Sequence, residues 1–62
     1  MAKIIEVDNF NRDNVSDTLI AENLTPHWAE KIVKMLNATV PSDGPDYYKA
    51  VSNEYQLYTW EP

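Results

Sequence analysis

Thr25-Pro26 opens the best-marked element of this sequence, a helix over residues 26–37. The Thr25 hydroxyl can accept from a free backbone N–H of the first turn. Pro26 sits where its missing N–H costs nothing, and it holds the preceding residue extended, as a cap requires. Trp28, Ala29, Ile32, Val33 and Leu36 then recur at steps of three and four, forming one apolar stripe that Met35 widens. Glu30 and Lys34 stand in the favourable i,i+4 order, and Lys31 and Lys34 complement the C-terminal end of the dipole. Asn37 reads as a left-handed terminator, and Pro41 forbids much continuation.

A helix with one apolar stripe needs an apolar seat, and the rest of the chain offers strands. Lys3–Val7 reads as a strand, possible as far as Phe10. Tyr47-Tyr48-Lys49-Ala50-Val51 and Tyr55-Gln56-Leu57-Tyr58-Thr59-Trp60 are rich in β-preferring residues, with Ser52-Asn53 as a tight turn between them. Residues 41–46 form a loop that holds the only glycine. Residues 12–24 are ambiguous. Val15, Leu19, Ile20 and Leu24 fit a helical period, but Asn14, Ser16, Asp17 and Thr18 are poor interior helix residues. Asn11-Arg12-Asp13-Asn14 resembles a polar turn, so the reading taken is a second strand near 15–22. The expected fold is a single small α+β domain over residues 1–62. It is a small antiparallel sheet with one helix packed on one face, ordered β-β-α-β-β. The alternative is β-α-α-β-β.

Size and charge remove several classes of function. A chain of 62 residues buries about 60% of the surface its unfolded form exposes, which leaves little room for a deep cleft beside the core. There is no cysteine, hence no disulfide and no thiolate zinc site. Ten Asp and Glu against five Lys and Arg give a net charge of −5, which opposes direct binding to nucleic acid or anionic membrane. No apolar run reaches the about 7–15 residues of a signal peptide or the about 20 of a membrane span, so a cytoplasmic location is expected. With no secretory signal, the triplets at Asn14, Asn23 and Asn37 that match N-x-[ST] read as chance.

Catalytic and metal motifs fail on their own terms. Asn9-x-Asn11-x-Asp13 brushes against a calcium loop, but its sixth and twelfth positions are Asn14 and Ile20 instead of Gly and Glu. His27, the only histidine, has Glu30 one turn away on a helix otherwise apolar on that side, too few ligands for a metal. One histidine and no cysteine leave little material for a nucleophile with its base. One glycine cannot build a phosphate-cradling loop. No enzyme activity, cofactor or metal is expected.

The uneven feature is aromatic. Five of the seven aromatic residues, Tyr47, Tyr48, Tyr55, Tyr58 and Trp60, lie in the last sixteen positions. If 47–60 form a hairpin with an even-length loop, one face collects Tyr48, Ala50, Tyr55 and Leu57. That face would seat the helix stripe of Trp28, Ile32 and Leu36. The other face gathers Tyr47, Lys49, Val51, Gln56, Tyr58 and Trp60. Tyr47, Lys49, Tyr58 and Trp60 are therefore the candidate partner-binding residues. A competing account is that the aromatic pairs only stabilise the hairpin.

Val7-Asp8-Asn9-Phe10, Val15-Ser16-Asp17, Glu22-Asn23-Leu24, Ala29-Glu30 and Leu36-Asn37 occur in order. They are followed by Tyr47-Tyr48, Tyr55-x-Leu57-Tyr58 and a final Glu61-Pro62. In this succession the chain resembles small acidic accessory proteins encoded by tailed bacteriophages. The resemblance implies a protein made in an infected bacterium that binds and inhibits or modulates a host protein. Two alternatives stand beside a binding module. One is an acidic nucleic-acid mimic using Glu6, Asp8, Asp13, Asp17 and Glu22 against a host DNA-binding enzyme. The other is a small homo-oligomeric assembly subunit.

Overall fold

Ala2–Asp8 (β1) carries Ile4, Ile5 and Val7 in an almost unbroken apolar run, the composition of a strand covered on both faces. In the computed structural model, which describes residues 1–10, 12, 14–41 and 43–61, β1 is the middle of an antiparallel sheet. Thr18–Leu24 (β2) lies on one side and Asp46–Ser52 (β3) on the other. Pro26–Asn37 (α1) connects the two edges. The described elements run β-β-α-β, an α+β arrangement.

β1 and β3 pair without interruption from Ala2↔Ser52 to Asp8↔Asp46. The β1–β2 ladder is irregular at two places, between Ala2 and Ile4 and between Ile4 and Ile5, where β2 uses one extra residue each time. Asn23 lies in the first irregularity with φ of 62°, a left-handed conformation that Asn tolerates better than most residues. The second bulge lets Ala21 and Leu19 stand opposite the neighbours Ile4 and Ile5, which point to opposite faces.

Residues 18–24 are thus a strand, starting three positions later than expected, and the two-helix alternative does not form. α1 occupies its expected bounds, with the Thr25 side chain accepting from the Trp28 N–H. Its seat differs in one respect. Ala29 is fully buried against Ala2 and Ile4, and Ile32, Val33 and Leu36 pack around them with Leu24, Tyr48 and Ala50. Trp28, placed in the seat by periodicity, is 54% exposed. The small Ala29 lets the helix backbone approach β1, which leaves Trp28 at the helix flank. There Lys31 Nζ stands 5.2 Å from its ring centroid and the His27 ring 5.8 Å. No ion pair forms between Glu30 and Lys34.

Asn37 is not a left-handed terminator: Asn23 alone among the described non-glycine residues has positive φ. Asn37 turns its carboxamide to the outer edge of β3. Its Oδ1 accepts from the Tyr48 N–H at 2.9 Å and its Nδ2 donates to the Tyr48 carbonyl at 2.9 Å. One side chain thereby replaces a neighbouring strand at that point. Asn37→Leu, similar in volume but without either bond, is expected to cost about 1–3 kcal/mol. It also opens the β3 edge, so sedimentation should become concentration-dependent. Unchanged urea stability together with an unchanged monomer would contradict that role.

The largest departure from expectation is the final segment. A turn does follow β3, at Asn53–Glu54, with the Tyr55 N–H donating to the Ser52 carbonyl. Residues 55–60 then form no strand. They cross the sheet face opposite α1 as a strap. Lys3 Nζ, rising from that face, donates to the Tyr55 carbonyl. Farther along, the Tyr58 carbonyl accepts from the Asp17 N–H at 2.9 Å, and the Trp60 N–H donates to Ser16 Oγ at 2.9 Å. Two physical reasons favour the strap over a fourth strand. The β3 edge is already occupied at Tyr48, and the row Lys3, Ile5, Val7 lies on the face that α1 does not cover.

Candidate functional site

β3 distributes its side chains as the period of two requires. Tyr48 and Ala50 face the helix, whereas Tyr47, Lys49 and Val51 stand opposite Val7, Ile5 and Lys3 on the other face. Between that face and the strap lies an open concavity of about 300 Å³. Its lining includes Tyr47, Lys49, Tyr55 and Tyr58 together with Val7 and Val15. Arg12, Asp8 and Asp17 are its other described members.

The structure therefore brings together three of the four expected partner-binding residues, Tyr47, Lys49 and Tyr58. Trp60 lies beyond this lining, held by its backbone to Ser16. Tyr47, Tyr58 and Trp60 are 37%, 45% and 42% exposed. Tyr55 was expected on the helix side with Tyr48. It lies on the opposite face, because the strap does not continue the hairpin. Its ring lies 5.5 Å from Lys49 Nζ.

The acids do different work. Asp17 Oδ2 accepts from the Tyr58 N–H at 2.9 Å and from the Tyr55 hydroxyl at 3.3 Å, which fastens the strap. Asp8 holds Arg12: Nε donates to Oδ1 at 2.9 Å, Nη2 to Oδ1 at 2.5 Å, and the Arg12 backbone N–H to Oδ2 at 2.6 Å. Glu6 is half-buried opposite Tyr48, and its charge is the main reason that the Tyr48 phenol is pushed above its ordinary range. Glu22 is exposed on β2. Asp13 lies outside the described residues. The four described acids of the expected mimic surface thus divide among an ion pair, a strap anchor, a cross-strand contact and a solvated edge.

The Arg12 guanidinium, chiefly through its hydrogen bonds, holds the Asp8 carboxyl below its usual range. A carboxyl lowered in the folded state contributes stability that is complete above its unfolded value and is lost as pH falls through the folded one. Wild type is therefore expected to lose stability more steeply than Asp8→Asn below the ordinary carboxylate range. Urea titrations at successive acidic pH values check this, and parallel curves would count against it.

Among the described residues no group of three or more His, Cys, Asp or Glu gathers that could hold a metal ion. A second hollow of about 290 Å³, near the start of α1, includes Ala2, Pro26, Ala50 and Ser52 and, among the described residues, a single ionisable side chain, Glu30. No helix of the described residues is long and apolar enough to cross a membrane. Arg12 and Tyr55 were missed as site residues. Arg12 sat in a presumed polar turn, and its only local signal is the i,i+4 spacing from Asp8. No known protein family, curated protein or solved structure matches this chain.

Proposed function

We propose that the chain is a non-enzymatic protein-binding module that docks a partner through the Tyr47, Lys49, Tyr55 and Tyr58 concavity. The observation that carries this reading is the exposure of Tyr47 and Tyr58, which line the same open hollow. Tyrosine gives large contact area at small entropic cost and is enriched at interface centres. Trp60, at the far end of the strap, is exposed but lies outside this lining. Read with the phage resemblance, the partner is a bacterial host protein of the cytoplasm, inhibited or modulated by occlusion. The acidic-mimic reading finds less support, because Asp8 and Asp17 are engaged within the chain.

Capture from bacterial lysate tests the proposal. Immobilised wild type is expected to retain one stoichiometric partner, and Tyr47→Ser/Tyr58→Ser, folded by circular dichroism, is expected to lose it. Retention by the double variant would move the interface elsewhere. Displacement of the partner by duplex DNA would favour the mimic. A second copy of this chain as the only captured protein would favour the assembly subunit.

A further inference from the structure

We propose that the concavity is a carboxylate socket, in which Lys49 and Tyr47 receive a single Glu or Asp side chain from an otherwise apolar segment of the partner. This rests on the docking surface proposed above and names the chemistry that it accepts.

The argument begins with charge. The chain has twice as many acids as bases, yet among the described residues the lining holds two of each, Asp8 and Asp17 against Arg12 and Lys49. Both acids are committed. Asp8 is held by three donor groups of Arg12, and Asp17 by the Tyr58 N–H and the Tyr55 hydroxyl. Arg12 is neutralised by the same contact. Lys49 is left half-buried on β3 with the Tyr55 ring beside it and no ion pair to any described residue. Tyr47 stands two positions away on the same face, roughly 7 Å along the strand. Its hydroxyl has no hydrogen-bond partner among the described residues. The polar groups that Lys49 and Tyr47 bring to this lining are thus an ammonium and a phenol, two donors on one face of β3. A carboxylate matches them, and a charge-assisted hydrogen bond in a partly desolvated hollow is stronger than its neutral equivalent.

The rest of the molecule selects among anions. A net charge of −5 repels nucleic acid and acid-rich segments before contact. One carboxylate among apolar side chains escapes most of that repulsion. Val15, with the rings of Tyr55 and Tyr58, supplies apolar surface for its neighbours.

The test is an NMR titration of the full chain with the capped peptide Ala-Leu-Glu-Leu-Ala, its Gln counterpart and inorganic phosphate. The Glu peptide is expected to shift the amides of residues 47–49 and 55–58, and to bind at least about tenfold more tightly than the Gln peptide. Lys49→Met should reduce Glu-peptide affinity to the Gln level and leave the Gln peptide unaffected, whereas Lys31→Met changes neither. Tyr47→Phe, which keeps the ring, should weaken the Glu peptide alone, and it stands in if Lys49→Met misfolds. Equal affinity for both peptides at these amides would overturn the socket and leave the docking surface standing. Phosphate binding as tightly as the Glu peptide would also overturn it, in favour of a general anion site. Absence of any shift at these amides would overturn the socket outright, while the capture experiment judges the docking surface independently.

Discussion

Ile5→Ala is expected to lower stability by about 3 kcal/mol and the melting temperature by roughly 12–24 °C. Ile5 is fully buried, as is Ile4, but the two lie on opposite faces of β1. Ile4 is covered by Ala29 and its neighbours on α1. Ile5 lies in the row with Lys3 and Val7, the face that the 55–60 strap crosses. A three-stranded sheet with a helix on one side would ordinarily leave its other face wet, and alanine there would cost little. A domain of this size has only about 3–9 kcal/mol in total, so the loss would be a third of its stability or more. Leu19, opposite Ile5 but exposed, supplies the control: Leu19→Ala should cost less than about 1 kcal/mol. Thermal and urea unfolding of both variants decide the point. A loss at Ile5 no larger than at Leu19 would mean that the strap face is not a second core.

Asp17→Ala is expected to release the strap, at a cost of about 2 kcal/mol, because a carboxylate that accepts from a backbone N–H and a hydroxyl is removed. Its effect on binding should exceed its effect on stability. Tyr55 and Tyr58 line the concavity only while the strap is in place, so partner capture should fail although every tyrosine remains. Hydrogen exchange reports the release directly: the Tyr58 and Trp60 amides, bonded to Asp17 and Ser16, should exchange faster, whereas those of β3 stay protected. Asp17→Asn retains an oxygen acceptor and should fall between. Unchanged protection at Tyr58 in the alanine variant would show that the strap is held by something other than Asp17.

These two variants concern the part of the fold that was least legible. The helix could be read because Thr25-Pro26 and a regular period are local signals, and β1 because Ile-Ile-x-Val suits a covered strand. Tyr47 and Lys49 could be placed on one face by the period of two alone. β2 was ambiguous because two bulges break that period, so Leu19, Ala21 and Leu24 match neither template cleanly. The strap was mistaken for a strand because β propensity measures fit to a half-buried pleated surface, which Tyr55, Leu57 and Tyr58 also find when lying across a sheet.

Local chemistry thus specified the helix, the central strand and the two faces of β3, since each depends on residues within a turn or two of one another. Packing alone assigned the strap, the Asn37 contact at the β3 edge and the meeting of Asp17 with Tyr55 and Tyr58 some forty positions away. A chain segment settles wherever apolar surface remains uncovered and backbone groups remain unpaired. Both conditions exist only after β1 has been enclosed by its neighbours.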